Sequence, residues 1–187
     1  MTVSATPLCL SFAVGACIYG RLLVARTPQG ICAVLLGGIG GVEATERDLV
    51  ADLRRRFPGA VLRSNDGTAR ESLDVVRAII EGTSAQEPKL HLIGTPFQKQ
   101  VWSALVRVPS GATVSYAQLA KRAGLEARDS RAVAGACARN HIAVLVPCHR
   151  VVRTDGAMGG YHWGTDMKQG LLAAEKARRN TWTQVPV

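Results

Sequence analysis

The sequence predicts a chain in two parts: a small α/β domain over residues 1–93 and a mostly helical domain over residues 94–187 containing a helix-turn-helix. Three observations carry this reading. Short apolar runs separated by turn residues fill the first part, helical periodicity dominates after Thr95, and the charge is confined to one half. Residues 1–93 hold 10 Lys or Arg against 9 Asp or Glu, while residues 94–187 hold 13 against 5, so nearly all of the net +9 sits in the second part.

In chain order, Leu8 to Ala16, Arg21 to Ala25 and Ile31 to Leu36 are apolar-rich stretches, the last two separated by Thr27-Pro28-Gln29-Gly30, which reads as a hairpin turn. Glu43 to Phe57 sets Leu49, Val50, Leu53 and Phe57 at helical spacing opposite Arg47, Asp48, Arg54 and Arg55, and Pro58-Gly59 closes it. A second helix is expected from Ala69 to Ile80, completing a small α/β domain on an antiparallel sheet. Lys89 to Ile93 reads as a strand or a linker. Thr95 as N-cap and Pro96 at the first helical position start a helix through Phe97, Val101, Trp102, Leu105 and Val106. Ser115 caps another that ends at Gly124, and Arg131 to Asn140 forms a third after a polar connection, the pair matching a helix-turn-helix. Ile142 to Val146, five apolar residues in a row, reads as a buried strand ended by Pro147.

Composition narrows the function classes. An apolar fraction of 47% with 20% charged residues is ordinary for a globular protein, and no apolar run approaches the roughly 18 residues of a membrane helix. Met1-Thr2-Val3-Ser4 carries no basic region ahead of an apolar block, so no secretory signal is expected and a cytoplasmic location follows. The five cysteines, Cys9, Cys17, Cys32, Cys137 and Cys148, are an odd number without CxxC spacing and should be reduced thiols. Confinement of the positive charge fits a module that meets a polyanion, although a solvated basic face has the same composition.

The helix from Arg131 is built from Ala132, Val133, Ala134, Gly135, Ala136, Cys137 and Ala138 and has almost no bulk. It either packs closely against a core or is thin enough to enter a groove without reading base edges. Beyond it, Pro147 fixes the backbone before Cys148, a rigid mount for a nucleophile. His149 and Arg150 make the neighbourhood cationic, which is expected to lower the thiol pKa toward neutrality. In a regular strand His149 would point away from Cys148, so their cooperation needs a turn.

Pro147-Cys148-His149-Arg150-Val151 resembles the active-site motif of the O6-alkylguanine-DNA alkyltransferases. Further family pieces stand in order around it: Gly94-Thr95-Pro96-Phe97-Gln98, Val101-Trp102, Val114-Ser115-Tyr116, Leu119-Ala120, Arg131-Ala132-Val133, Asn140, Gly160-Tyr161, and Leu171-Leu172 before Glu175. The resemblance is strong over residues 94–177 and looser before them. Leu125 to Ser130 departs from the family pattern in lacking a Pro-Lys pair and being one residue longer.

The resemblance implies a ribonuclease H-like first domain and a winged helix-turn-helix-like second one. It implies irreversible transfer of the alkyl group from O6-alkylguanine, and O4-alkylthymine, in DNA to Cys148. By the same resemblance His149 is expected to remove the thiol proton through a water oriented by Glu175, Asn140 to brace the turn, and Tyr116 to meet the DNA backbone and protonate N3 of the departing guanine. Arg131 resembles the residue that fills the gap left by the flipped nucleotide. Ser115, Ala132 and Gly135 belong to the DNA-facing surface, and Gly160, Tyr161, the His162 amide and the carbonyls of Cys148 and Val151 to the base pocket. The partner that the resemblance implies is double-stranded DNA, met at the minor groove by a monomer, with cooperative binding left open. No cofactor is implied. Some relatives bind zinc in the first domain, but Cys9, Cys32 and His91 lack a fourth ligand, so no metal is expected. Two alternatives remain: a sensor or helix-turn-helix regulator that binds alkylated DNA without repairing it, and a Cys-His hydrolase. Cys148 speaks against the first, the charge asymmetry and the alanine-rich helix against the second.

Overall fold

Three consecutive apolar stretches with tight turns between them fold as a meander. In the computed structural model, which describes residues 7–37, 44–64 and 67–182, β1 (Cys9–Cys17), β2 (Gly20–Thr27) and β3 (Gly30–Leu36) pair antiparallel. The Pro28-Gln29 turn joins β2 to β3 with Thr27 opposite Gly30. The expected sheet is not purely antiparallel. A fourth strand, β4 (Val61–Ser64), lies parallel to β1 with Cys9 opposite Val61, giving the order β3-β2-β1-β4.

Two amphipathic helices pack on these strands. Helix α1 (Glu46–Arg56) buries Leu49 and Leu53. It begins at Thr45, whose side chain accepts from the Asp48 amide while the Asp48 carboxylate accepts from the Thr45 amide, satisfying two helix-end donors. Glu43, where the periodicity placed its start, lies outside the described residues, as does Met1 to Ser4. Helix α2 (Gly67–Glu81) buries Ala69, Leu73, Val76 and Ile80 against β1 and β2. Lys89 to Ile93 forms no strand; Leu90 makes a single parallel bridge with Ile31.

The described residues fall into two compact units, one ending at His91 and one beginning at Leu92. The second holds α3 (Pro96–Val106), α4 (Tyr116–Arg122), α5 (Ser130–Ala138) and α6 (Thr165–Trp182), with a two-residue parallel pair of β5 (Val114–Ser115) and β6 (Val151–Val152). Both α3 and α4 start with the same device: Thr95 with Gln98, and Ser115 with Gln118, exchange side-chain and backbone hydrogen bonds. The first needs glycine ahead of it, because a Cβ on Gly94 would stand 2.7 Å from Gln98 Oε1 and 2.8 Å from the Trp102 ring. The buried Trp102 indole donates to Ala136 O at 2.9 Å, tying α3 to α5. Helix α4 closes on Gly124 at φ +73°, and a 3₁₀ turn (Ala127–Asp129) occupies the connection to α5. Among the described residues no helix is long and apolar enough to cross a membrane.

Candidate active site

Residues Ile142 to Val146 do not form the expected strand. They make a compact buried turn in which the Val146 amide donates to Ile142 O at 3.0 Å and Val144 sits at φ +66°. An apolar run signals burial but not conformation, and here one polar side chain sets the conformation. Asn140, 1% exposed, accepts from the Ile142 amide at 2.9 Å and donates to Val146 O at 2.7 Å, holding both ends of the turn. Its amide also donates to Cys148 Sγ at 3.2 Å.

Pro147 then leads into a 3₁₀ turn over Cys148–Arg150, which supplies the change of direction that a strand would deny His149. The turn is anchored at its exit. The Val151 amide donates to Cys148 O, and β6 pairs Val151 with Val114, one residue before the Ser115 cap of α4. Cys148 and the start of α4, where Tyr116 stands, are thereby joined through backbone.

His149 is fully buried, and its Nε2 lies 2.8 Å from Glu175 Oε1. Burial would raise the Glu175 pKa, but hydrogen bonds from His149 and Arg150 outweigh it and hold the carboxyl down to about 2. Burial also pushes the His149 pKa down, against the pull of Glu175. A neutral imidazole beside a carboxylate carries its proton on Nε2, leaving Nδ1 as the basic atom. That Nδ1 is buried and has no hydrogen-bond partner among the described residues. Glu175 is itself clamped by the Arg150 guanidinium, at 3.0 Å and 2.8 Å, and by the Gly111 amide at 3.0 Å.

This arrangement corrects the expectation that cationic neighbours depress the Cys148 pKa. Burial pushes the thiol up, with the Asn140 hydrogen bond and Lys168 opposing it. Arg150 is engaged by Glu175 and by Val108 O, and His149 is held neutral, so neither offers the thiol a free positive charge. Cys148 rests as a thiol and becomes a thiolate only when its proton is taken.

Tyr116 is half-buried, and burial, then Cys137 and Cys148, push its pKa up, so the phenol stays protonated. Its hydroxyl lies 3.3 Å from where a Cβ on Gly159 would stand, and Gly159 has φ +62°; beside Gly160 the space is open. The Tyr161 ring meets the edge of His149 at 6.3 Å and tilts toward the buried Trp163 at 5.3 Å, while the exposed His162 ring packs on Trp163 at 5.0 Å. The structure thus brings Asn140, Tyr116, His149, Val151, Tyr161 and Glu175 together around Cys148. Arg131, Ala132 and Gly135 do not join them. They line a separate groove of ≈ 680 Å³ along α5 with Phe97, Arg128 and Arg139, while Val133 and Cys137 are buried.

Lys168 was missed by the sequence reading. It is fully buried, and Nζ donates to Val151 O at 2.6 Å and to Met158 O. A signal existed: Lys168, Leu171, Leu172 and Glu175 follow helical spacing, which puts both charged residues on the apolar stripe. In the first unit, Thr27 Oγ1 and His91 Nδ1 are 2.8 Å apart, and Cys32 Sγ donates to Ala25 O. No group of three or more His, Cys, Asp or Glu placed to hold a metal occurs among the described residues.

A sheet unit is followed by a helical unit that places a buried cysteine next to a His–Glu–Arg cluster, the grouping of side chains that chemistry at sulfur requires. Residues 96–177 match the DNA-binding domain of 6-O-methylguanine DNA methyltransferase. The chain is 40% identical over 169 residues to the bifunctional transcriptional activator/DNA repair enzyme Ada of Escherichia coli, covering 90% of this chain and 46% of that protein. It is 42% identical over 112 residues to the methylated-DNA–protein-cysteine methyltransferase of Methanosarcina acetivorans, covering 59% of this chain and 71% of that one. The crystal structure of Mycobacterium tuberculosis OGT in complex with DNA superposes with a TM-score of 0.70 at 29% identity, covering 90% of this chain and 94% of that one. The chain belongs to the 6-O-methylguanine DNA methyltransferase family. It spans just under half the length of the Escherichia coli relative.

Proposed function

We propose that the protein repairs DNA by a single, irreversible transfer of the alkyl group of O6-alkylguanine, and of O4-alkylthymine, to Cys148. The observation that carries this reading is the buried relay at Cys148, whose resting thiol is braced by Asn140 and backed by a neutral His149 with its basic nitrogen unpartnered. A water between Cys148 and His149 Nδ1 passes the thiol proton to the imidazole, and Glu175 stabilises the imidazolium that results. Sulfur then attacks the alkyl carbon, forming C–S as C–O breaks. The electron pair leaves with guanine, which takes a proton from the Tyr116 phenol, and His149 returns a proton to the phenolate. The balance is thiol plus alkylguanine to thioether plus guanine. No cofactor is consumed, and the thioether has no easy route back.

Guanine O6 is inside the duplex, so the nucleotide must be extruded to reach Sγ. Helices α4 and α5 supply the helix-turn-helix in the minor groove, Ser115 and the thin face of α5 at Ala132 and Gly135 admit the backbone, and Arg131 replaces the extruded base. Tyr161, Gly160, the His162 amide and the carbonyls of Cys148 and Val151 receive it. The first domain, of ribonuclease H-like type, supports a winged helix-turn-helix-like second domain, and the protein acts as a cytoplasmic monomer. Incubation with duplex DNA carrying O6-methylguanine should add one methyl group per protein molecule, located by peptide mass at Cys148. Cys148→Ala should bind the duplex without accepting the group. A label on Cys137, or wild-type binding without transfer, would overturn the reading, the latter in favour of a sensor.

A further inference from the structure

Lys168 is a charged side chain that folding has removed from water. Burial of an ammonium is expensive unless its donors are satisfied, and here two backbone carbonyls accept from Nζ. One is Val151 O, at the exit of the Cys148 turn. The other is Met158 O, next to the Gly159 that faces Tyr116. The side chain therefore spans from the backbone behind the nucleophile to the backbone below the base pocket.

The groups around Cys148 make the charge as notable as the hydrogen bonds. From α4 the site is faced by Tyr116, from α5 by Cys137, from the turn itself by His149 and from α6 by Lys168 and Glu175. Tyr116 and Cys137 are neutral, with their pKa values pushed up by burial. Glu175 is anionic but paired with Arg150. Among the described groups facing the sulfur, Lys168 is the cation without an acidic partner. Burial presses its pKa down, and a thiolate formed at Cys148 opposes that push.

We infer that Lys168 is a positioning residue that fixes the backbone on both sides of the pocket and sets a positive charge against the Cys148 thiolate. It touches neither the alkyl group nor the base; it acts through Val151, Met158 and the field at Sγ. The inference deepens the proposed transfer reaction and rests on it for its purpose, but not for its test. A fixed cation matters because proton transfer from a buried thiol to His149 creates an anion in a poorly solvated place. The carboxylate behind His149 favours the imidazolium but opposes the thiolate, and Lys168 balances that effect.

The test uses iodoacetamide, a small neutral electrophile that reports thiolate without needing DNA, with modification of Cys148 followed by peptide mass as a function of pH. Lys168→Met removes donor and charge, Lys168→Gln keeps a donor without charge, and Lys168→Arg keeps both. The Met and Gln proteins should need a pH higher by about one unit for half-maximal reactivity, a tenfold loss of thiolate below the midpoint, while the Arg protein stays near the wild type. A purely structural strut would lower the amount of folded protein without moving the midpoint. An unchanged midpoint in either folded neutral variant, or an equal shift in the Arg protein, would overturn the inference. If Lys168→Met does not fold, the Gln and Arg pair gives the same reading. Transfer from methylated DNA is measured alongside: a shifted midpoint without wild-type transfer removes the proposed function and leaves the charge assignment standing, and the converse removes only the latter.

Discussion

Replacing Asn140 by Ala tests whether one amide shapes the mount of the nucleophile. The substitution deletes the acceptor of the Ile142 amide and a donor to Val146 O. Val146 O keeps a second partner in the Cys148 amide at 2.8 Å, so it loses one hydrogen bond worth about 1 kcal/mol. The Ile142 amide loses its Asn140 Oδ1 acceptor, and a buried N–H orphaned in this way costs about 1–3 kcal/mol. The expected loss is therefore about 2–4 kcal/mol. The three tryptophans, Trp102, Trp163 and Trp182, all lie in the second unit, so urea unfolding followed by tryptophan fluorescence reads that unit. With a slope of about 2 kcal/mol per molar, the midpoint should fall by about 1–2 M. Loss of the hydrogen bond to Sγ should also raise the Cys148 pKa. A loss below about 1 kcal/mol with an unchanged slope would mean that apolar packing, not Asn140, fixes the 142–146 turn.

Arg131→Ala should depress transfer from duplex DNA far more than from free O6-benzylguanine, because the unstacking penalty of a few kcal/mol exists only in the duplex; equal losses on both substrates would assign Arg131 to the fold. Gly159→Ala places a methyl 3.3 Å from the Tyr116 hydroxyl in a left-handed backbone position, so transfer rates from both substrates should fall, and unaltered rates would separate Tyr116 from the chemistry. Stability should decline toward acid. His149 and Glu175 are both held below their ordinary values, so each contributes stability that is complete above its unfolded value, 6.5 and 4.5, and is lost as pH falls, for Glu175 on the way to about 2. Urea midpoints that stay level between about pH 7 and about pH 5 would contradict that linkage, and His149→Gln should flatten the upper part of the decline.

The helix starts were legible because capping chemistry is local: Thr95 with Gln98 and Ser115 with Gln118 announce their helices within four residues. Strand β4 was not, since four mostly exposed residues carry no alternation and owe their pairing to β1, far away in sequence. Ile142 to Val146 was misread because five apolar residues give burial without period, and the polar side chain that folds them lies outside the run. In the site, motif order carried Cys148, His149 and Glu175, but adjacency misassigned Arg150. Its charge goes to Glu175, a residue 25 positions away, rather than to the neighbouring thiol. Lys168 stayed hidden because a lysine on a helix ordinarily faces water.

The two-residue pairing of β5 with β6 has a kinetic meaning. It links the Cys148 turn to Val114 and the Ser115 cap of α4 through backbone pairing rather than through a mobile loop, so the relative placement of sulfur and phenol is settled when the chain folds. Rigid approach of reacting groups is a large source of rate, but in a repeatedly acting enzyme it conflicts with the opening needed to discharge product. A protein that reacts once has no second cycle to protect. On the proposed reaction, stiffness at this joint carries no turnover penalty, and the slow event is left to the DNA, in the extrusion of the damaged nucleotide.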